Sequence, residues 1–259
     1  MAAARRGKAA EALEKGRLRI GLSGWNYPEW RAGFYEGVPQ RRWLSHAAAH
    51  FNGLEINATF YGGQKPETYR RWRDSVPAGV AFVAKGHRMV THMKRLNDPG
   101  ESIAIQRRSL RPLGARLCAV LWQLPGGLSR DDDRMDGFIE ALRRWPKMRH
   151  VVELRHRSWL ADEVAERLEK ARIANCLSDS PRWPMWEAVT ARLVYVRLHG
   201  HSRLYQPRYA GPALEGWARR IRRWLADGRD VHVYFDNDAE GHAPYDALRL
   251  MGMLGARLT

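Results

Sequence analysis

The sequence predicts an α/β fold, a TIM-type (β/α)8 barrel that is irregular between its sixth and seventh strands. Three observations carry this. The chain has 259 residues, the usual size of one such barrel. Eight short strand-like runs can be read, most of them separated by helical patterns, and strand–helix alternation on this scale argues for a parallel sheet. Finally, two runs near the C-terminus are apolar on one face and turn polar on the other: Val194–Gly200 and Val231–Asp238. Side chains alternate along a strand with period two. Tyr195, Arg197 and His199 therefore share a face opposite Val194, Val196 and Leu198, and His232, Tyr234 and Asp236 oppose Val231, Val233 and Phe235. Polar groups gathered at strand ends are the layout of a barrel with its site at the C-terminal mouth.

The elements follow in order. The first strand is Leu18–Leu22, followed by a helix at Pro39–His50 with Trp43, Leu44 and Ala47 at helical spacing. The second strand, Gly53–Asn57, leads to a helix at Pro66–Val76, which opens on a proline where the missing N–H costs nothing. The third strand, Val80–Lys85, precedes a helix at Glu101–Arg111. After the fourth, Leu117–Gln123, a helix at Asp131–Trp145 starts with three aspartates, where the helix dipole favours negative charge. The fifth strand, His150–Arg155, is followed by a helix at Ala161–Ala171 and then by the sixth strand, Ala174–Leu177. The next stretch, Ser178–Arg192, holds Pro181 and Pro184 and is too short and broken for a full helix with two loops, so a turn or loop is expected. The seventh strand, Leu193–His199, a helix at Pro212–Asp227, the eighth strand, Val231–Asp236, and a helix at Ala243–Leu254 complete the chain. No Gly/Ser linker divides it. One barrel domain, 18–259, is expected behind an Ala-rich basic arm, 1–17, which lacks the apolar stretch of a secretory signal.

The formal net charge is +16, which favours anionic partners. Of 44 basic residues only 7 are lysine, so a composition bias toward arginine accounts for much of this. The string Arg-Arg-Trp recurs at 41–43, 70–72, 143–145 and 222–224, each time in a predicted helix. Inward-packed tryptophans with arginine stems lying along the surface explain the string; a nucleic-acid stripe would need the arginine pairs on one continuous face. Cys118 and Cys176 fall in predicted strands without metal-binding spacing and read as buried thiols of a reducing compartment. No segment approaches the ~20 apolar residues of a membrane span. The expected location is the cytoplasm, with no membrane partner.

Period two also selects the groups expected at the mouth. Glu55 and Asn57 share a face on the second strand; Lys85 ends the third and Gln123 the fourth; Glu153 and Arg155 share a face on the fifth. Asp179 is read at the parity of Leu177 after the sixth strand, and Arg197, His199 and Asp236 complete the ring. An inert barrel fills its interior with branched apolar layers, whereas charges gathered in one place need partners or a ligand. Glu55, Glu153, Asp179 and Asp236 with His156 and His199 are a possible divalent-metal set. They equally match Lys85, Arg155 and Arg197 in charge, and that balance favours ion pairing. No cofactor is assigned. Aromatics in the candidate mouth loops, among them Trp25 and Tyr61, either anchor loops or stack on a ligand.

Several strings taken together resemble the YecE-like family, the domain of unknown function 72. They are Ile20-Gly-Leu-Ser-Gly-Trp-Asn-Tyr-Pro-Glu-Trp30, Glu55-Ile-Asn-Ala-Thr-Phe-Tyr61, Phe82-Val-Ala-Lys85, Leu121-Trp-Gln-Leu-Pro125, Glu153-Leu-Arg-His156, Tyr195-Val-Arg-Leu-His-Gly200 and Tyr234-Phe-Asp-Asn-Asp238. Ala58 stands where the family's string often has serine, and Gly62-Gly63-Gln64-Lys65 replaces an arginine-containing Ser-Pro stretch. The resemblance implies a TIM-like barrel and a pocket, and no particular activity.

The functional expectation is an enzyme of hydrolase or lyase type acting on a small anionic, phosphate-bearing substrate at the barrel mouth. No dinucleotide fingerprint is present. Glu153 or Glu55 is the expected acid–base group, with His199 assisting. Arg155, Arg197 and Lys85 are expected to bind or polarise the anion, and a desolvated Lys85 has a second reading as a Schiff-base nucleophile. Asn57, Gln123, His156, Asp179, Asp236, Trp25 and Tyr61 are expected to line the substrate pocket. The alternative is a nucleic-acid binding or processing protein that uses its arginine-rich surface.

Overall fold

A computed structural model describes residues 16–200, 204–205 and 208–256; the greater part of the expected basic arm lies outside the described residues. Eight parallel strands close into a barrel in sequence order. They are β1 (Leu18–Ser23), β2 (Gly53–Ile56), β3 (Ala81–Lys85), β4 (Leu117–Gln123), β5 (His150–Glu153), β6 (Ala174–Asp179), β7 (Leu193–Leu198) and β8 (Asp230–Phe235). Closure comes from β1, which pairs with β2 on one side and with β8 on the other.

The helices are α1 (Trp43–His50), α2 (Ala58–Tyr61), α3 (Pro66–Asp74), α4 (Gly100–Leu110), α5 (Asp132–Arg143), α6 (Asp162–Lys170), α7 (Gly211–Ala226) and α8 (His242–Leu254). Asp131 caps α5, its carboxylate accepting from Arg134 N at 3.0 Å, which satisfies one of the orphaned first-turn donors. The one-turn α2 and a π-helical turn at Met89–Met93 had no periodic signature, because each is too short to show one. Between β6 and β7 there is no helix, only turns and extended chain, as the two prolines require. None of the helices in the described residues is long and apolar enough to cross a membrane.

Alternation on the strands divides the core in two. Outward-facing Leu22, Leu54, Phe82, Val120, Trp122, Val152, Val196 and Val233 pack under the helices in the main cluster. Inward-facing Val83, Leu121, Val151, Cys176, Leu193, Tyr195 and Tyr234 form a separate small cluster within the barrel. Here two tyrosines, their rings 5.2 Å apart, replace part of the branched aliphatic filling that barrels commonly use. Space for one of them comes from Gly53, which faces Gly21 across β1 and β2. A Cβ on Gly53 would sit 2.9 Å from the Tyr234 hydroxyl.

The repeated Arg-Arg-Trp strings behave as surface arginines over anchored tryptophans. Trp43, Trp145 and Trp224 are buried and Trp72 half-buried, while the paired arginines are exposed.

A Cβ on Gly21 would run into the carbonyl oxygen of Gly53, and strand backbone cannot yield as a side chain does. Gly21→Ala should lower stability by at least about 1–3 kcal/mol, the usual range for overpacking, as measured by urea unfolding. A variant as stable as the wild type would show that the inner layer is not close-packed.

Candidate functional site

The mouth is organised around one buried guanidinium. Arg197, near the end of β7, is 1% exposed. Its Nε donates to both oxygens of Glu55, each at 3.2 Å. Its Nη2 donates to Glu55 Oε2 at 3.1 Å and to Ser23 Oγ at 2.7 Å, and it lies 3.1 Å from Asp236 Oδ2. Its Nη1 donates to Glu153 Oε2 at 2.9 Å. Period two delivers these groups: Glu55 pairs across with Ser23 and Val83 in the ladder, and Gln123 with Glu153.

Each carboxylate has further partners. The Tyr195 hydroxyl donates to Glu55 Oε1 at 2.5 Å. Glu153 Oε1 accepts from Arg155 Nε and Nη2 at 3.0 and 2.8 Å and from Ser178 Oγ at 3.1 Å. His199 bridges the two sides: Nε2 is 3.2 Å from Glu153 Oε1, and Nδ1 is 2.6 Å from Asp236 Oδ2. The latter contact is close enough for an ion pair but not aligned as a hydrogen bond.

Burial by itself would raise the carboxyl of Glu153, but Arg155, Arg197 and His199 together hold it well below the usual range. Asp236 is likewise held low, burial being outweighed by Arg197, His199 and Lys85. Arg197 is pushed the other way: burial disfavours its charge, and Asp236, Glu55 and Glu153 more than restore it.

Two groups at the mouth shift toward their neutral forms. Lys85 falls to about 8, first through burial and then through the charge of Arg197. Its ammonium lies 4.6 Å from the centre of the Phe60 ring and makes no hydrogen bond or ion pair with a described residue. Asp238, just past β8, rises to about 8 through burial and the neighbouring Asp236 carboxylate.

The helix-less β6–β7 connection covers this cluster. Trp183 stacks over the Arg155 guanidinium at 3.9 Å, packs edge-on to His199 at 5.2 Å and donates from Nε1 to Ser178 Oγ at 2.9 Å. Beside the cluster, between the ends of β1–β3 and the helices α1 and α3, opens a cleft of about 710 Å³. Trp25, Tyr27, Arg41, Asn57, Arg71 and Lys85 are among its walls. A larger cleft of about 930 Å³ lies at the other end of the barrel among Arg149, Arg172, Arg192 and Arg229. It starts from the N-terminal strand ends and does not touch the ionisable cluster.

The structure thus brings together Glu55, Lys85, Glu153, Arg155, Arg197, His199 and Asp236. Asn57 joins them through bonds from Nδ2 to the Ser23 carbonyl and hydroxyl at 2.9 and 3.1 Å. Gln123 is buried at the same rim, donating to Leu124 O at 3.3 Å. Trp25 and Tyr61 lie to the side as walls of the cleft, Trp25 packed on Trp72 and Phe82 and Tyr61 mostly exposed.

Two placements are corrected. Asp179 belongs to β6 itself, opposite Leu198, and shares the outward face with Leu177. Its carboxylate accepts from Trp217 Nε1 of α7 at 3.4 Å. Ser178 is the residue that β6 sends inward. His156 caps the 3-10 turn at Arg157–Trp159, its Nδ1 accepting from Ser158 N at 3.3 Å, and makes none of the contacts just described. The proposed metal set is therefore divided, and the described residues contain no group of three or more His, Cys, Asp or Glu disposed to hold a metal ion.

The model of the family described as protein of unknown function DUF72 matches residues 19–259. The chain belongs to the DUF72 family. Among DUF72 relatives, it is 24% identical over 234 residues to the UPF0759 protein YecE of Escherichia coli K12, covering 80% of this chain and 82% of that protein. It is 23% identical over 278 residues to the UPF0759 protein YunF of Bacillus subtilis 168, covering 92% and 94%. The crystal structure of a DUF72 protein from Thermotoga maritima superposes with a TM-score of 0.83 at 25% identity, covering 92% of this chain and 99% of that one. One from Enterococcus faecalis gives 0.82 at 20% identity, covering 93% and 97%. These likenesses carry the DUF72 family and the barrel, and no reaction.

Removing one member of a buried ion-pair set leaves its partners uncompensated, which costs about 3–5 kcal/mol. Arg197→Met should therefore destabilise the protein by at least that amount at pH 7. The folded pKa values of Glu153 and Asp236 lie below their unfolded values. The stability they contribute is complete above about pH 4 and is lost as pH falls through the folded values. The gap between wild type and Arg197→Met should accordingly shrink as pH is lowered below about 4. Denaturant titrations across pH would check this, and a constant gap would show that Arg197 acts through packing alone.

Proposed function

We propose that the protein is an enzyme that binds a small anionic substrate at the C-terminal barrel mouth and carries out lyase- or hydrolase-type proton transfer there. One observation carries the reading. An amine and a carboxyl, Lys85 and Asp238, are both displaced toward neutrality beside a cluster whose other carboxylates are held ionised. Groups whose pKa is brought close to the working pH can give and take protons as acid and base.

The roles expected from sequence shift accordingly. Glu153 is fully occupied by Arg155, Arg197 and Ser178, and a carboxylate held low by several donors is a weak base. Its part is to fix the two arginines. Lys85 in neutral form is the stronger base, and Asp238, protonated at neutral pH, is the acid. Since Arg155 and Arg197 already face carboxylates, the anion falls to Arg41 and Arg71 on the adjoining cleft. A phosphate or carboxylate suits two guanidinium groups equally.

A panel of phosphorylated and carboxylated metabolites, read by thermal shift, tests this. Ligands that bind the native state raise the melting temperature. At least one anion should do so, and the rise should be lost in Arg41→Ala/Arg71→Ala while that variant keeps the wild-type melting temperature without ligand. No response to any anion, or an unchanged response in the double variant, would sink the reading. A response confined to oligonucleotides and falling steeply with salt would transfer the function to the arginine-rich surface. Once a turnover assay exists, activity should peak near pH 8, rising as Lys85 loses its proton and falling as Asp238 loses its own, and Asp238→Asn should flatten the falling limb.

A further inference from the structure

We propose that Lys85 is a nucleophile that forms an imine with the carbonyl carbon of a small anionic aldehyde or ketone held in the cleft lined by Arg41 and Arg71. This rests on the anionic-substrate reading and adds the substrate's reactive group.

The placement of Lys85 argues for it. The residue ends β3, so its side chain rises from a rigid strand into the mouth. Its backbone carbonyl is fixed by Thr59 Oγ1 at 2.7 Å and Gln106 Nε2 at 3.2 Å. A lysine kept for structure would pair with one of the nearby carboxylates. Instead Glu55, Glu153 and Asp236 are all taken by Arg197, and Arg155 adds to the hold on Glu153. The Lys85 amine faces the Phe60 ring and the cleft. Burial disfavours the charge on the amine, as does Arg197, and its pKa of about 8 leaves roughly one molecule in ten with a neutral amine at pH 7, against well under one in a thousand for a free lysine. An amine desolvated beside another cation is the activated form used in Schiff-base chemistry.

The cleft supplies what such a substrate needs. Arg41 and Arg71 meet its anionic group, Trp25 and Trp72 its carbon skeleton. Asn57 Oδ1 is buried and makes no hydrogen bond with a described residue, which leaves it as an acceptor for a hydroxyl. In the step itself the amine lone pair attacks the carbonyl carbon. The carbonyl oxygen gains a proton as the nitrogen loses one, giving a carbinolamine; its hydroxyl takes up a second proton and leaves as water, and the nitrogen gives up its remaining proton. Amine and carbonyl become imine and water, with no oxidant or reductant required.

The chain has only 7 lysines, so trapping is readily read. The full-length protein is incubated at pH 7.5 with glyoxylate, pyruvate or dihydroxyacetone phosphate, with acetone as the uncharged carbonyl, and reduced with borohydride. Peptides are then mapped by mass spectrometry. Lys85 should gain the mass of an anionic probe less one oxygen, at least tenfold above Lys94, Lys147 and Lys170 and above its own labelling by acetone. Lys85→Arg and Lys85→Met should abolish that adduct. Thermal shift with the same probes separates the two ideas. Stabilisation by a probe without a Lys85 adduct, or adducts spread evenly over the exposed lysines, overturns the imine alone. Neither stabilisation nor adduct with any anionic probe overturns it together with the reading beneath it.

Discussion

The site depends on Arg197 remaining charged where water cannot reach it. Taking a guanidinium out of solvent costs several kcal/mol even after relaxation, and only close, well-directed carboxylates repay that. Three converge on it from β2, from β5 and from just past β8. Because those partners come from different strands, one side chain ties distant parts of the barrel rim to a single geometry. The same interaction keeps the carboxylates ionised, and so decides which other groups at the mouth are left to change protonation. Lys85 lies at the edge of this field, repelled by Arg197 and attracted by Asp236 and Glu153.

Beneath the site, the barrel interior is built to support it. Gly53 gives up side-chain volume on β2, and the ring of Tyr234, packed on Tyr195, takes it. Tyr195 then sends its hydroxyl upward to Glu55. A valine in its place would pack but would leave that carboxylate oxygen with one donor fewer. The inner layer is thus both filling and first support of the polar cluster, which accounts for aromatic residues where aliphatic ones would suffice for packing.

Much of this was legible in the sequence, for one reason: strand parity is a local property. Glu55, Lys85, Glu153, Arg197 and Asp236 fall on the inward face by counting in twos, and closure of the barrel does the rest. At β6 the shared parity of Asp179 and Leu177 held, but that face was taken as the inward one. Cys176 is the residue that faces inward, so the strand sends Ser178 inward and Asp179 out to Trp217. His156 looked like a ligand by type, and its use as a turn cap depends on a local bend that alternation does not describe. Trp183 comes from a connection without period, and its stacking on Arg155 is tertiary. Asp238 was visible as a residue but not as an acid, since its shift arises from burial beside Asp236, and neither distance nor depth is written in the chain.

The missing helix between β6 and β7 gives the shell a seam. Elsewhere each connection must match the curvature of the wall it packs against, and its length is tied to the strands on either side. At the seam the chain is released from that duty, and what it contributes instead is an indole laid across the arginine of the neighbouring strand. Loop insertions are cheap where no packed layer is disturbed. Residues 180–192 are therefore the stretch in which this barrel can exchange one roof for another while the floor and walls of the site stay as they are.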